Sequence, residues 1–412
     1  MPKTARVVIL GGGFGGVAAA RAFGRLKRGL NIKPQVTLIS DRSHFLFTPL
    51  LHEVATGAIG HENLLFPLRV LVGRGVDNLV LAKVLGVDTL KQKVETSHGY
   101  FEYDYLILAL GSRSFTFGVS GADDYAWPLK TLVDAEALRS HLMRRLEAAT
   151  LAKDAETRHR ALRFVIVGGG PLVVELAPEV CEFLNDWAPT YPTLVRKQME
   201  VHLVHSGQKL VEQFGPKFHD VASKIFNKHC LKAHYGARVI KVTPFSVILS
   251  TGEVIEADTI IWTAGVKPND FMLSPKDIRA SGRCEVLPTL QVKDCGNIYA
   301  VGDGALLLDA QGKPLPATAQ VAVEQGPHAA RNIIASIGAR ALKSFKYRHK
   351  GFTISLGQGR AVVDLGIFVL TGGLAWLIYR GIYLYKLGFN EGRVRVFFDW
   401  FLDLFFRRRG GE

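Results

Sequence analysis

Two glycine-rich turns, each lying between an apolar run and a helix-favouring stretch, limit what this chain can fold into. The first turn, GGGFGG, occupies positions 11–16 and follows the apolar run 6–10. The second begins GGGPLV at position 168 and follows the apolar run 164–167. A buried parallel strand that leads into a glycine turn and a helix is the start of a dinucleotide-binding βαβ unit. The sequence therefore predicts an α/β fold with two such units.

The first turn carries the complete G-x-G-x-x-G pattern. Gly11 permits the tight turn, Gly13 lets the backbone approach a pyrophosphate, and Gly16 lets the helix pack closely on its strand. The free N–H groups at the helix N-terminus then favour the phosphates. After the next predicted strand, 36–39, the acid that would bind a ribose stands one position late, at Asp41. The residues predicted to contact this dinucleotide are Gly11, Gly13, Phe14, Gly15, Gly16 and Asp41.

The second turn departs from the pattern. Gly168 and Gly170 keep the tight turn and the close backbone approach, but Val173 stands where the third glycine is expected. Pro171 falls in the first helical turn, where a missing N–H is harmless, whereas Pro178 is expected to kink the helix. Contact with a pyrophosphate is therefore predicted to survive at Gly168 and Gly170.

The strand after the second turn lacks an acid for the ribose. The strand 200–204 is followed by His205, which cannot reject a 2′-phosphate as a carboxylate would, and Lys209 lies close enough in sequence to attract one. Both NADH and NADPH therefore stay open as ligands near His205. A degenerate unit that no longer binds a nucleotide is a further alternative.

Two more predicted strands indicate a flavin on the first unit. One covers 105–111, between the two glycine turns, and the other covers 297–304 and ends in Gly-Asp. We expect the carboxylate of Asp303 to lie beside the ribityl chain of a flavin, the alternative being that Asp303 caps the following helix. Two dinucleotide units in one chain thus point to a flavoprotein that binds FAD and also takes a nicotinamide nucleotide.

Five shorter segments are shared with a known family. They are FLFTPLLHEVA at 45–55, ALGS at 109–112, WTAGV at 262–266, VGD at 301–303 and AQVA at 319–322. Together with GGGFGG they resemble the type II NADH dehydrogenases, single-subunit NADH:quinone oxidoreductases that do not pump protons, over nearly the full chain. Two positions depart from the family: Glu324 stands where it has a glutamine, with Gln325 one residue on, and Leu110 replaces a threonine.

The resemblance implies two Rossmann-like domains of the glutathione-reductase-like flavoprotein type, with FAD on the first and NADH on the second. It also implies that a membrane quinone approaches the helix that begins near Ala319. Of the catalytic residues that it implies, Glu175 takes part in proton handling, and Gln320 and Glu324 line the quinone side. The further cofactor-binding residues are Thr48, Pro49, Ala109, Gly111, Gly168, Gly170, His205, Gly265, Asp303 and Ala319. The expected domains are 1–125 (FAD, first part), 126–284 (nicotinamide nucleotide), 285–345 (FAD, second part) and 346–412 (C-terminal membrane-anchoring region).

A net charge of +14 suggests an anionic partner, and the C-terminal region suggests which one. The apolar run 365–379 is too short to span a bilayer, and the aromatic stretch 393–406 ends in the arginines 407–409. This pattern predicts an amphipathic helix in the membrane interface with its arginines at anionic headgroups, the alternative being a dimer-forming or core-covering helix. We therefore expect peripheral attachment at the cytoplasmic face of the cell membrane. We also expect a membrane quinone as partner, a homodimer and no nucleic-acid partner.

The cysteines and the N-terminus complete these expectations. The four cysteines show no C-x-x-C and no metal-ligand spacing, which fits a reducing compartment and no metal site, and positions 1–6 lack the pattern of a signal peptide. A sulfide:quinone reductase is an alternative that needs a redox cysteine late in the chain, yet no cysteine follows Cys295. A non-catalytic flavoprotein, in which the altered second unit serves as a docking surface, is the other alternative.

Overall fold

Each of two units contains a mainly parallel β-sheet, one of whose central strands leads into a glycine turn. Unit 1 comprises 1–46, 65–113 and 266–349, and unit 2 comprises 47–64, 114–265 and 350–412. The computed structural model describes residues 4–30, 33–194, 196–211, 214–226, 230–274, 279–280, 282–348, 350–366, 368–388, 390–406, 408 and 410. Each unit is therefore assembled from segments that are separate in sequence.

The α-helices range from four to twenty residues in length. They are α1 (Phe14–Leu26), α2 (Leu51–Ala55), α3 (Leu68–Val72), α4 (Ala122–Tyr125), α5 (Leu132–Leu151), α6 (Ala155–Ala161), α7 (Pro171–Trp187), α8 (Pro216–Phe226), α9 (Ala319–Ile337), α10 (Gly373–Lys386) and α11 (Asn390–Leu402). In the described part of the chain, no helix is both long enough and apolar enough to cross a membrane.

The strands are mostly short. They are β1 (Arg6–Leu10), β2 (Gln35–Ser40), β3 (His44–Leu46), β4 (Leu65–Pro67), β5 (Asn78–Leu81), β6 (Val84–Asp88), β7 (Lys93–Thr96), β8 (Gly99–Glu102), β9 (Tyr105–Leu108), β10 (Ser112–Ser114), β11 (Trp127–Pro128), β12 (Arg163–Val167), β13 (Glu200–Val204) and β14 (Leu231–His234). The remainder are β15 (Val239–Thr243), β16 (Ser246–Leu249), β17 (Val254–Glu256), β18 (Thr259–Trp262), β19 (Val266–Pro268), β20 (Met272–Ser274), β21 (Arg279–Ala280), β22 (Arg283–Glu285), β23 (Gln291–Val292), β24 (Cys295–Ala300), β25 (Ala305–Leu306), β26 (Phe352–Ser355), β27 (Ala361–Asp364) and β28 (Val369–Gly372).

The main sheet of unit 1 has the strand order β23–β24–β9–β1–β2–β5. β1 pairs in parallel with β2 and with β9, so Leu10 lies opposite both Ile39 and Leu108. Residues 7–10 are buried because a central parallel strand is covered on both faces. The helices α1 and α9 pack closely since Gly326 has no side chain: a Cβ there would lie 2.3 Å from the carbonyl oxygen of Gly15.

The main sheet of unit 2 has the strand order β11–β18–β12–β13–β14. β12 pairs in parallel with β13 and β18, so Val167 lies opposite Val204 and Trp262. Each glycine turn therefore connects a central parallel strand to a helix, and the predicted α/β fold with two Rossmann-like units is confirmed.

In the C-terminal region of unit 2, the apolar run 365–379 is divided at its glycine pair, 372–373. β26, β27 and β28 form an antiparallel sheet, and Gly372, with φ of +81°, separates β28 from α10. Ile367 lies outside the described residues. A strand followed by a helix replaces the continuous run because a positive φ, which glycine adopts without strain, interrupts the segment.

A disulfide bond links Cys181 of α7 to Cys230, which directly precedes β14. Cys284 and Cys295 are not joined in a disulfide bond. The pairing differs from the reduced cysteines expected above, and their spacing did not predict it because the two residues are 49 positions apart in sequence.

Candidate active site

The glycines of the first turn are required by backbone contacts. Gly11 has φ of +105°, and a Cβ there would lie 2.3 Å from the carbonyl oxygen of Ala109. A Cβ on Gly16 would lie 1.9 Å from the carbonyl oxygen of Gly11, so the backbone of α1 is in direct contact with the backbone of the turn. Such distances exclude any side chain at Gly11 or Gly16. They are consistent with the roles predicted for the first and third glycines.

Gly13, by contrast, faces open space. A Cβ at Gly13 would meet no atom within 4 Å, and α1 begins at the next residue without a side-chain cap. The N-terminus of a helix has free N–H groups and a partial positive charge, which together bind phosphate groups. A pyrophosphate therefore fits beside Gly13, as FAD would require.

The carboxylate of Asp303 lies in unit 1, just after the end of β24. Asp303 stands in a single 3₁₀ turn, Gly302–Gly304, and accepts a hydrogen bond from the hydroxyl of Ser112. The helix that follows is capped by Thr318 instead, so the alternative role of Asp303 as a helix cap is wrong. Gln325, 2% exposed, accepts a hydrogen bond of 2.7 Å from the N–H of Gly302 and so fixes this turn.

The other predicted residues of unit 1 lie on α1, just beyond β2, after β9 and on α9. Phe14 packs edge-to-face on Phe45 with ring centroids 4.8 Å apart, and Asp41 is exposed just beyond β2. Gly111, with φ of +69°, follows β9 and faces open space. On α9, Gln320 and Glu324 are half-buried and share one face, because residues four apart in a helix lie one above the other. Ala319 is the first residue of that helix.

In unit 2, the side chain of Val173 fits into the second glycine turn because Gly168, next to it, has no side chain. Gly168 has φ of +150°, and a Cβ there would lie 2.8 Å from Cγ2 of Val173 and 2.7 Å from the hydroxyl of Thr263. Val173 is 1% exposed, so its side chain fills the space that Gly168 leaves. Gly170, like Gly13, would place a Cβ in open space. The turn therefore has open space at Gly170, and pyrophosphate contact there stays a prediction.

The helix α7 contains two prolines. Pro171 occupies the first helical turn after the N-cap Gly170, as predicted. Pro178 lies inside the helix, yet α7 continues from Pro171 to Trp187 without interruption. A kink at Pro178 stays a prediction.

His205 lies against the second turn. Its Nε2 is 3.1 Å from the carbonyl oxygen of Lys209, and its backbone N–H donates to the carbonyl of His234 at 2.9 Å. A Cβ on Gly169 would lie 2.0 Å from Cε1 of the His205 ring. The imidazole therefore occupies the space above the middle glycine of the turn.

Glu175 sits in a buried pocket of unit 2. Its Oε1 accepts hydrogen bonds of 3.4 Å from the N–H of Ser355 and the hydroxyl of Tyr379, and its Oε2 lies 3.9 Å from Nδ1 of His52. Burial raises the pKa of Glu175 well above its usual value. Burial also lowers the pKa of His52 to about 4, so the imidazole next to Glu175 is neutral at pH 7.

Glu53 extends this buried cluster. Its Oε1 lies 4.0 Å from Nε2 of His52, and its Oε2 accepts a hydrogen bond from the indole N–H of Trp400 in α11. Burial, followed by the charge of Glu179, raises the pKa of Glu53 to about 8. Two adjacent glutamates, Glu53 and Glu175, therefore favour their protonated forms at neutral pH.

An acidic face of α7, formed by Glu175, Glu179, Glu182 and Asp186, meets one arginine of the C-terminal segment. Arg408 lies 2.5 Å from Glu179, 2.8 Å from Glu182 and 3.3 Å from Asp403, with its side chain 3% exposed. Burial alone would lower the pKa of Arg408, but the charges of Glu179 and Glu182 outweigh it and raise that pKa. The expectation that Arg408 meets lipid headgroups is therefore wrong. Arg407 and Arg409 lie outside the described residues.

The remaining predicted residues of unit 2 are Thr48, Pro49 and Gly265, which lie before α2 and after β18. Thr48 and Pro49 belong to a 3₁₀ turn, Thr48–Leu50, that leads into α2. Gly265 follows β18, and a Cβ there would lie 2.4 Å from the ring of Phe117. Since these residues belong to unit 2 and the first turn belongs to unit 1, their joint contact with one cofactor stays a prediction.

Sequence comparison with known proteins identifies the family of this chain. A family model described as pyridine nucleotide-disulphide oxidoreductase matches residues 5–326. The chain is 31% identical over 426 residues to the type II NADH:quinone oxidoreductase NdhA of Mycobacterium tuberculosis, covering 98% of this chain and 88% of that relative. This chain belongs to the type II NADH:quinone oxidoreductase family. The resemblance inferred from its motifs is confirmed.

Solved structures show how widely the fold of a type II NADH:quinone oxidoreductase is shared. NDH2 of Plasmodium falciparum, in complex with NADH, matches with a TM-score of 0.88 at 22% identity, over 99% of both chains. The sulfide:quinone oxidoreductase of Aquifex aeolicus matches with a TM-score of 0.72 at 19% identity, over 99% of this chain and 96% of that one. Both matches establish the fold alone, so the family assignment rests on the sequence comparison.

Proposed function

We propose that this chain is an NAD(P)H:quinone oxidoreductase that binds FAD at the first glycine turn and a nicotinamide nucleotide at the second, and does not pump protons. The carrying observation is that Gly13 and Gly170, at the N-termini of α1 and α7, both face open space where a pyrophosphate fits. The family relationship supplies the reaction class. Bound FAD would take two electrons from the reduced nicotinamide and pass them to the quinone.

In unit 1, the residues proposed to hold FAD act through backbone and hydrogen bonds. Gly11 and Gly16 bring the backbones of the turn and α1 together, which leaves Gly13 exposed to the pyrophosphate. Asp303, fixed by Ser112, provides a carboxylate for hydroxyl groups of the ribityl chain. Within unit 1, the further FAD contacts proposed are Phe14, Gly15, Asp41, Ala109, Gly111 and Ala319.

Glu175 is proposed to hold and deliver a proton during quinone reduction. Both hydrogen-bond donors, Ser355 and Tyr379, point to Oε1, so the proton favoured by burial resides on Oε2, the oxygen nearer to His52. A protonated carboxyl donates a proton at neutral pH, whereas an ordinary glutamate is already ionised. Gln320 and Glu324, on one face of α9, are proposed to line the quinone side.

The surface of α11 supports attachment to lipid. Val396, Asp399 and Trp400 point inward, whereas Phe397 and Phe398 are more than half exposed. The exposed apolar residues of this segment are Val394, Phe397, Phe398, Phe401, Leu402, Leu404, Phe405 and Phe406. An aromatic face of this kind, on a helix whose other face is packed, inserts into the interface of a bilayer. We propose peripheral attachment at the cytoplasmic face of the membrane, where the quinone substrate resides, with an anionic lipid surface as partner and a homodimer as the assembly.

The two alternatives make different demands on the structure. A sulfide:quinone reductase needs a redox cysteine late in the chain, and no cysteine follows Cys295. A non-catalytic scaffold needs a second turn that no longer fits a nucleotide, whereas Gly170 still faces open space and Val173 is accommodated by Gly168. Both observations favour the oxidoreductase.

Anaerobic mixing of the purified flavoprotein with NADH or NADPH tests the proposal. Either nucleotide should bleach the flavin absorbance, and a short-chain quinone should restore it. Gly170→Val should block bleaching at unchanged flavin content, because its side chain occupies the pyrophosphate site. In Gly215→Val, the added side chain begins in open space elsewhere in unit 2, so this control should behave as wild type. An intact flavin that neither nucleotide reduces would support the scaffold instead.

A further inference from the structure

We infer that the loop after β13, residues 205–211, forms a subsite for the 2′-position of the adenosine ribose that accepts either a hydroxyl or a phosphate. The chain would then use both NADH and NADPH. This inference rests on the proposed function, since it specifies the nucleotide that the second turn binds. His205 and Lys209 carry it.

The strand registers place His205 where a nucleotide-specifying acid belongs. Leu10 lies opposite Ile39 in unit 1, and Val167 lies opposite Val204 in unit 2. The residue after Val204, His205, therefore occupies the position from which an acid in NAD-specific Rossmann units accepts a hydrogen bond from the ribose 2′-hydroxyl.

The ring of His205 is held at the turn itself. A Cβ on Gly169 would lie 2.0 Å from its Cε1, 2.1 Å from its Nδ1 and 2.6 Å from its Nε2, so this edge of the ring fills the space above the turn. The loop is fixed on both sides. The N–H of Val211 donates to the carbonyl of Gly169 at 2.9 Å, and the N–H of Gly236 donates to the carbonyl of Gly207 at 3.0 Å.

The carbonyl of Lys209 determines which ring nitrogen of His205 can accept a hydrogen bond. Nε2 lies 3.1 Å from that oxygen. A carbonyl oxygen only accepts, so Nε2 carries the hydrogen and Nδ1 of the neutral ring is an acceptor. Nδ1 therefore replaces the carboxylate as acceptor for a 2′-hydroxyl. It differs in carrying no negative charge to repel a 2′-phosphate.

Lys209 supplies the charge that a 2′-phosphate needs. The side chain is exposed and forms no ion pair with any described residue, and positions 205–211 contain no acid. A phosphate carries about 1.5 to 2 negative charges at pH 7 and pairs with lysine as with a point charge. The loop thus offers a neutral acceptor for NADH and a cation for NADPH.

Direct binding tests the inference without relying on turnover. We would titrate the flavin-loaded full-length protein with ADP-ribose and with 2′-phospho-ADP-ribose by calorimetry, and follow flavin reduction by NADH and NADPH in parallel. Wild type should bind the two fragments within about tenfold of one another. Lys209→Ala should weaken only the phosphorylated fragment, by about tenfold, which corresponds to the loss of one charge-assisted contact. Lys217→Ala, an exposed lysine of α8, is the matched control and should weaken neither.

Two variants of His205 distinguish the effect of a hydrogen-bond acceptor at this position from the effect of a negative charge. His205→Glu should retain ADP-ribose and lose the phosphorylated fragment by tenfold or more, and His205→Gln, a neutral acceptor, should retain both. Wild-type binding of ADP-ribose with exclusion of its 2′-phosphate would overturn the dual subsite but leave the proposed oxidoreductase intact. Equal weakening of both fragments by Lys209→Ala would also overturn it. If neither fragment binds and neither nucleotide reduces the flavin, the proposed function fails together with this inference.

Discussion

At the scale of single residues, Glu53 and His52 link protonation to stability with opposite signs. The pKa of Glu53 rises from 4.5 to about 8, so between these pH values the folded protein holds a proton that the unfolded chain releases. This contribution lowers the free energy of unfolding as pH rises. The pKa of His52 falls from 6.5 to about 4, so the unfolded chain binds the extra proton, and this contribution raises stability with pH in that range.

Glu53→Gln should therefore flatten the loss of stability between pH 6.5 and 8.5. The amide oxygen still accepts the hydrogen bond from Trp400, but no buried carboxyl has to ionise. Thermal unfolding at several pH values measures the effect, with Glu156→Gln, an exposed glutamate of α6, as the control. An identical pH dependence in wild type and Glu53→Gln would contradict the shifted pKa of Glu53.

At the scale of elements, the acidic face of α7 depends on Arg408. Removing one partner from a buried ion pair leaves uncompensated charge and costs about 3–5 kcal/mol. Arg408→Met leaves the buried Glu179 without its arginine and should therefore destabilise unit 2 by about that amount. Arg395→Met breaks an exposed i,i+4 pair with Glu391 and should cost less than about 1 kcal/mol. Denaturant titrations compare the two, and equal stabilities would show that Arg408 is not docked in solution.

The local patterns of α1 and α7 were readable in the sequence, whereas the contacts between distant elements were not. Strand, glycine turn and helix follow one another along the chain, so the two Rossmann units and Pro171 at a helix start could be predicted. The pairing of Arg408 with Glu179 joins positions 229 residues apart. The sequence alone predicts Arg408 at a membrane surface, because a cluster of arginines beside an aromatic stretch is typical of an interfacial helix. The sequence does not show how Val173 is accommodated in place of a glycine, because the space beside Gly168 exists only in three dimensions.

At the scale of the whole molecule, attachment to lipid should depend on the outer face of α11 rather than on Arg408. Phe397→Ser, Phe398→Ser and Phe401→Ser combined should reduce sedimentation with vesicles of phosphatidylcholine and phosphatidylglycerol, because less apolar area is buried in the interface. High salt should weaken wild-type binding only partly, since screening does not affect apolar burial. Leu151→Ser is the control, because Leu151 is an even more exposed apolar residue that lies on α5. Unchanged sedimentation of the triple variant would remove α11 as the anchor.

The close packing of α1 on α9 through Gly326 has a consequence for biosynthesis. β1 and α1 are synthesised well before β24, which extends their sheet by pairing with β9, and before α9, which packs on α1; these two elements lie within residues 295–337. Domains fold during synthesis only once their contacting segments are available. The sheet containing β1 must therefore stay incomplete until most of the chain has been made, and α1 stays without its partner helix. We expect flavin loading to be a late event in translation, and ribosome-bound chains that end before α9 to carry no flavin.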